Sequence, residues 1–215
     1  MNSAKNRIHG LYAIADTGLL RGSALIEAAT AVLRGGARVI QYRDKSGDTQ
    51  REEEAAQLLE VCQQYDAVLI INDDVALAAH VGAHGVHIGR EDAAVEVARL
   101  ELGRQAIIGV SAYNQMARAQ RLAQAGADYV AFGAFYPSPT KPDAVAADIG
   151  LLTQAQRALQ IPVVAIGGIT PENGAALIMA GADALAVISG VFAQPDPERA
   201  ARRYTDLFRA RQKNQ

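Results

Sequence analysis

The segment QYRDK, residues 41–45, places Gln41, Arg43 and Lys45 at alternate positions. In an extended strand such residues point the same way. Two cations on one side suit a di-anionic group, with Arg as a planar fork and Lys as a point charge. A solvated run of loop charges is the alternative. Further along, INDDVALAAHVGAHGVHIGRED, residues 71–92, combines acids with His80, His84 and His87. Asn72 and Asp73 close one apolar run and Asp92 follows the next. Either Asp73 or Asp74, and likewise Asp92, could serve as a helix cap. Brought together, Asp73 and Asp92 make a hard oxygen site suited to Mg²⁺, which takes one or two carboxylates plus phosphate oxygens.

The histidines fit a metal less well. Gly82 interrupts any helix that would carry His80 and His84 on one face, so a zinc site lacks a shared element. His80 falls at a helix end, His84 at a helix-to-strand return, and His87 inside an apolar strand, where a core or barrel-lining role is expected. Other polar residues also stand just after apolar runs. Ser111 lies in GVSAYN, and Ser138, Thr140 and Lys141 lie between the prolines of YPSPTKPD. Gly168 in GGI, with Ile188 and Ser189 in ISG, would let backbone N–H groups approach a phosphate. The pattern implies two anionic substrates, one of them met through a metal.

These residues need a frame that gathers strand ends on one face. Val- and Ile-rich runs at 11–15, 37–42, 67–71, 85–88, 106–110, 128–133, 162–167 and 183–188 read as covered parallel strands. Amphipathic segments such as 51–64 and 114–125 lie between them, and a last helix spans about 196 to 212. GGAR (35–38), GAHG (82–85), GADY (126–129) and GADA (181–184) mark helix ends, where Gly closes the helix and the chain turns into the sheet. Eight such units without a composition break predict one (β/α)₈ barrel over residues 1–215, with short tails at 1–10 and about 210–215. A doubly wound sheet is the runner-up, weakened by the lack of an early G-x-G-x-x-G. In a barrel, the chemistry gathers where strands exit at their C-terminal ends.

Composition narrows the setting. Half the residues are hydrophobic and a fifth charged, as in a soluble α/β enzyme. A net charge of −2 gives no case for a nucleic-acid partner. No apolar run approaches the roughly 18 residues of a membrane span, and MNSAKNRIHG lacks a signal-peptide core. The lone Cys62 cannot form an internal disulfide and reads as a buried small hydrophobe. A cytoplasmic protein with small-molecule ligands is expected; self-association into a homo-oligomer is left open.

Taken in order, QYRDK, INDDVALA, GVHIGRED, GVSAYN, FGAFYPSPTKPD, AIGGI and VISG resemble the thiamine phosphate synthase family. The resemblance implies a transferase joining 4-amino-2-methyl-5-hydroxymethylpyrimidine diphosphate to 4-methyl-5-(2-phosphooxyethyl)thiazole, with loss of pyrophosphate. It implies that Gln41, Arg43 and Lys45 bind the pyrimidine diphosphate with Asn72 beside them. Asp73 and Asp92 would ligate Mg²⁺, and Ser111 would contact pyrophosphate. Ser138, Thr140 and Lys141 would hold the thiazole phosphate, with Lys141 also within reach of pyrophosphate. Gly168, Ile188 and Ser189 would contact the thiazole phosphate. Arg43, Lys45, Ser111 and Lys141 form the expected catalytic set. Arg90, Tyr113 and Ser138 depart from the family's usual Gln, His and Thr. A thiazole tautomerase-like isomerase and a non-catalytic thiamine phosphate-binding protein are the rival functions.

Overall fold

The computed structural model describes residues 7–89, 94–138 and 145–213. Its strands are β1 (Gly10–Asp16), β2 (Val39–Arg43), β3 (Val68–Asn72), β4 (Gly85–Ile88), β5 (Ile107–Tyr113), β6 (Tyr129–Phe132), β7 (Val163–Ile166) and β8 (Ala184–Val187). The helices are α1 (Gly22–Arg34), α2 (Arg51–Gln64), α3 (Val75–Val81), α4 (Ala94–Leu102), α5 (Met116–Gln124), α6 (Gly150–Ala158), α7 (Gly174–Ala180), a short α8 (Ser189–Phe192) and α9 (Pro197–Lys213). All eight strands are parallel and close in sequence order, Tyr12 of β1 pairing with Val39 on one side and Ala186 of β8 on the other. Closure removes the doubly wound alternative. Among the described residues, no helix is long and apolar enough to cross a membrane.

Strand alternation sorts the apolar residues into two layers. Leu11, Ile40, Leu69, Val86, Ile108, Val130 and Leu185 face outward and join the helices in the larger cluster. Tyr12, Ile14, Val39, Ile70, Tyr129, Val164 and Ala186 fill the barrel. The same alternation turns Tyr42 outward, where its hydroxyl donates to Glu54 of α2 at 2.7 Å, while its neighbour Gln41 points inward to Tyr12 at 2.8 Å. Cys62 is buried in the outer layer as expected, and burial pushes its thiol up to about 12.

The helix-end repeats do more than turn the chain. Gly36, Gly82, Gly126 and Gly181 all take positive φ, as a residue without Cβ can. In three of the repeats, the residue just before an even-numbered strand then accepts a backbone N–H from the first or second residue of the preceding strand. His84 Nδ1 accepts from Leu69 at 3.0 Å, Asp128 from Ile108 at 2.9 Å, and Asp183 from Val163 at 2.8 Å. Those N–H groups lie at the starts of their strands, and each side chain supplies the acceptor that a backbone donor needs. Burial, followed by the charge of Arg7, holds the His84 imidazole below its ordinary pKa and favours the neutral ring that can accept. His84 is thus structural, and His80 only faces Glu52 at 3.4 Å on the surface.

Asp128 also pairs with Arg99 of α4 at 2.5 Å. Replacing Asp128 by Ala strands the Ile108 N–H and removes the counter-charge of Arg99, far from the strand exits, and should cost roughly 1–3 kcal/mol. Urea denaturation checks this: the midpoint falls while activity at low temperature is kept. An unchanged midpoint contradicts the acceptor role.

Candidate active site

Among the described residues, charges at the strand exits are paired with charges from neighbouring strands. Asp16 ends β1 and forms an ion pair with Arg43, which ends β2. Asp44, next along, turns away from the pocket and organises the loop. It accepts from Thr17 Oγ1 at 2.7 Å, Arg21 at 3.0 Å, the Ser46 hydroxyl at 2.7 Å, and the N–H groups of Ser46 and Gly47 at 3.1 Å. Burial alone would raise its pKa, but the bonds from Thr17, Ser46 and Gly47 outweigh that and hold the carboxyl down to about 2. Gln41 points inward to Tyr12, and the cations Arg43 and Lys45 do not act as a free pair. Arg43 leans back to β1 and Lys45 forward to β3, because charges at a half-dry rim are stable only when paired.

Asp73 is the densest point of this pairing. Its Oδ2 accepts from Lys45 Nζ at 2.6 Å and Asn72 Nδ2 at 2.8 Å, and its Oδ1 from Gly89 N–H at 3.0 Å. Its own N–H donates to the His87 carbonyl at 2.8 Å. The residue sits at φ 61°, the left-handed region, which for a non-glycine costs on the order of 1–3 kcal/mol. Desolvation pushes its pKa up, yet the Lys45 ammonium and the Gly89 N–H bring it below the ordinary value. The ionised form is favoured. The capping role falls to Asp74, which accepts from Leu77 N–H at 2.8 Å and opens α3. Asp73 is thereby released for other work.

Ser111 lies on β5 where the pairing with β6 slips between Ser111 and Tyr113, a bulge of the kind that re-aims side chains near functional sites. Its Oγ lies 2.9 Å from His87 Nε2. Arg118 of α5 holds the two exits together, donating to the carbonyls of Ser111 at 3.0 Å and Gly89 at 3.2 Å while lying over the Tyr113 ring. Across the mouth, Tyr136 N–H donates to the Gly167 carbonyl at 3.1 Å. A Cβ on Gly168, at φ 57°, would lie 2.3 Å from the Pro137 carbonyl oxygen, so the loops after β6 and β7 touch through this glycine. Ser138 is half-buried in the first of these loops, and Ile188 and Ser189 follow β8 at the same rim. Asp92, Thr140 and Lys141, and the departure Arg90, lie outside the described residues. Among the described residues, no three His, Cys, Asp or Glu side chains gather as a metal cluster.

The sequence pattern of the family described as thiamine monophosphate synthase matches residues 11–191, nearly the whole barrel. The chain belongs to this family. It is 54% identical to the thiamine-phosphate synthase of Thioalkalivibrio sulfidiphilus, over 97% of this chain and 99% of that protein. It is also 54% identical to that of Nitrosococcus oceani, over 94% of this chain and 93% of the relative. A solved thiamine phosphate pyrophosphorylase from Pyrococcus furiosus superposes with a TM-score of 0.85 at 33% identity, covering 95% and 97% of the two chains. Membership makes the chain an enzyme, a transferase of the thiamine phosphate synthase type.

The exit residues missed from sequence are Asp16, which neutralises Arg43, and Asp44, which fixes the loop. Asp16 closes the β1 run just as Asp73 closes the β3 run, so the same rule of strand exits could have found it. For Asp44 the folded pKa lies below the unfolded value of about 3.9. Its contribution to stability is therefore full above that value and is lost as pH falls toward 2. Asp44→Asn should lower stability at neutral pH and flatten the decline between about pH 4 and pH 2, read from denaturation midpoints. Parallel curves for the two proteins would contradict this.

Proposed function

We propose that the chain is a thiamine phosphate synthase, joining 4-amino-2-methyl-5-hydroxymethylpyrimidine diphosphate to 4-methyl-5-(2-phosphooxyethyl)thiazole with release of pyrophosphate. The observation that carries the reading is Asp73, an ionised carboxylate held beside Lys45 where adjacent strands exit. Asp73 and Asp92 are the residues that would hold Mg²⁺; a half-exposed, ionised aspartate is the hard oxygen donor this ion prefers. Bound there, the ion supplies charge neutralisation for the departing pyrophosphate.

The remaining work belongs to the chain. Arg43 and Lys45 donate to the diphosphate oxygens, and Ser111 and Lys141 add donors to the leaving group. The carbon–oxygen bond breaks with its electron pair leaving on pyrophosphate. The aminopyrimidine stabilises the benzyl-like cation, and the thiazole nitrogen lone pair closes the new carbon–nitrogen bond. Such a dissociative substitution needs no protein nucleophile, so the chain contributes positioning and exclusion of water. Gln41 and Asn72 would meet the pyrimidine side. Ser138, Thr140, Lys141, Gly168, Ile188 and Ser189 would hold the thiazole phosphate, a reading supported by the contact between the loops after β6 and β7. A cytoplasmic setting belongs to the same proposal.

Purified protein with both substrates and Mg²⁺ should yield thiamine phosphate, seen as fluorescent thiochrome after oxidation. No product beside an active control synthase refutes the proposal. Thiazole isomerisation alone would favour the tautomerase reading, and tight binding of thiamine phosphate without turnover the sensor. Asp92→Ala should abolish most metal-dependent use of the diphosphate and leave thiazole phosphate binding within about twofold, since a single phosphate pocket across the mouth loses no donor. Loss of both bindings in a folded variant contradicts this division of the pocket.

A further inference from the structure

Five side chains form one unbroken line of hydrogen bonds through the barrel. Gln41 Nε2 donates to the Tyr12 hydroxyl at 2.8 Å, and the Tyr12 and Tyr129 hydroxyls lie 2.7 Å apart. Tyr129 is 2.9 Å from His87 Nδ1, and His87 Nε2 is 2.9 Å from Ser111 Oγ. Tyr12 and Tyr129 are 1% and 0% exposed, so bulk water does not serve their hydroxyls. The barrel makes room for the line: a Cβ on Gly109 would fall 1.9 Å from Tyr129 Cζ, which only a glycine avoids.

Counting protons limits how this line can be arranged. Burial pushes both phenols above the ordinary tyrosine pKa, so each keeps one hydrogen and can donate once. A histidine with one ring proton donates from one nitrogen and accepts at the other. Two continuous arrangements satisfy every member. In the first, Gln41 N–H donates to Tyr12, Tyr12 to Tyr129, Tyr129 to Nδ1 of His87, and Nε2–H to Ser111, leaving the Ser111 hydrogen to donate into the pocket. In the second every donor becomes an acceptor: Ser111 donates to Nε2, Nδ1–H to Tyr129, Tyr129 to Tyr12, and Tyr12 to the Gln41 carbonyl. The second requires the Gln41 amide to be turned over. A break in the line leaves a buried donor facing a donor, which is costly in a low-dielectric interior.

We propose that this line is a relay, in which the amide orientation that a bound aminopyrimidine imposes on Gln41 sets the direction in which the Ser111 hydroxyl donates. The inference rests on the reading above, in which Gln41 meets the pyrimidine and Ser111 the pyrophosphate. An exocyclic amino group calls for the Gln41 carbonyl, which leaves the amide N–H on Tyr12 and selects the first arrangement. Ser111 then offers its hydrogen to the anion as charge develops on it. In the second arrangement Ser111 would present a lone pair to that anion. Tyr12, Tyr129 and His87 are positioning residues, since they act on the substrate through the two ends.

The test uses full-length protein with ¹⁵N-labelled histidine and 4-amino-2-methyl-5-hydroxymethylpyrimidine as the probe. With the probe bound, His87 should show a protonated Nε2 and an accepting Nδ1. In Tyr129→Phe, the probe should still bind while its effect on the His87 nitrogens disappears. Turnover of that variant should fall roughly tenfold, about the 1.4 kcal/mol of one lost hydrogen bond, with KM for the thiazole phosphate unchanged. Tyr12→Phe cuts the line one link earlier and should behave alike, so the test survives if either variant fails to fold. A protonated Nδ1 with the probe bound, or a probe response in the variants equal to wild type, overturns the relay. Failure of the probe to bind wild type overturns the pocket assignment beneath it, an outcome separable from a failed relay because relay failure leaves binding intact.

Discussion

One carboxylate holds the active face together. Asp73 stands just after β3 in a strained conformation and ties Lys45 from the loop after β2, Asn72 beside it and the Gly89 N–H beyond β4 into a single knot. The strain is tolerated because each oxygen is satisfied and because Asp74 takes over the helix cap one residue later. Two aspartates in succession thus divide two tasks that a single residue could not perform at once. The knot also sets the electrostatics: a carboxylate clamped to an ammonium stays ionised and stays in place, the precondition for any ligand that would exchange for that ammonium.

The rim above and the polar line below are linked through β4. His87 sends its carbonyl to the Asp73 N–H and its ring to Ser111 and Tyr129, so one residue spans both layers. A barrel of eight strands leaves an interior just wide enough for side chains. Placing two phenols, an imidazole and an amide there instead of more Val and Ile gives up apolar contact, and full mutual hydrogen bonding offsets it. The result is rigidity under the site, where positioning matters. At the opposite end His84, Asp128 and Asp183 each accept a backbone N–H near the start of a strand.

Much of this was readable in the chain because two periodicities and a repeated glycine carry it. Apolar runs gave all eight strands, with GVHI matched to the residue, and the 51–64 pattern matched α2 end to end. The rule that strand exits hold the chemistry selected Gln41, Arg43, Lys45, Asn72, Asp73, Ser111 and Gly168, which the fold does bring to one face or just beneath it. What it could not show was pairing across strands. Arg43 and Lys45 share a direction in sequence but answer to Asp16 and Asp73 on opposite sides, which depends on strand neighbours and stagger. Choosing between Asp73 and Asp74 as the cap needed backbone geometry. The polar line was hidden for a simpler reason: Tyr12 and Tyr129 sit among apolar residues and read as core, and only the closed barrel shows their hydroxyls meeting.

The central claim is that Asp73 is an anchor for a metal-bound diphosphate, with Lys45 as its counter-charge. A crystal structure of the protein grown with Mn²⁺ and pyrophosphate, read by anomalous scattering, tests it most directly. The account predicts a metal about 2 Å from an oxygen of Asp73, in keeping with hard-cation coordination, shared with Asp92 and with Lys45 moved onto the pyrophosphate. A metal held elsewhere, or pyrophosphate bound while Asp73 remains locked to Lys45, would contradict it.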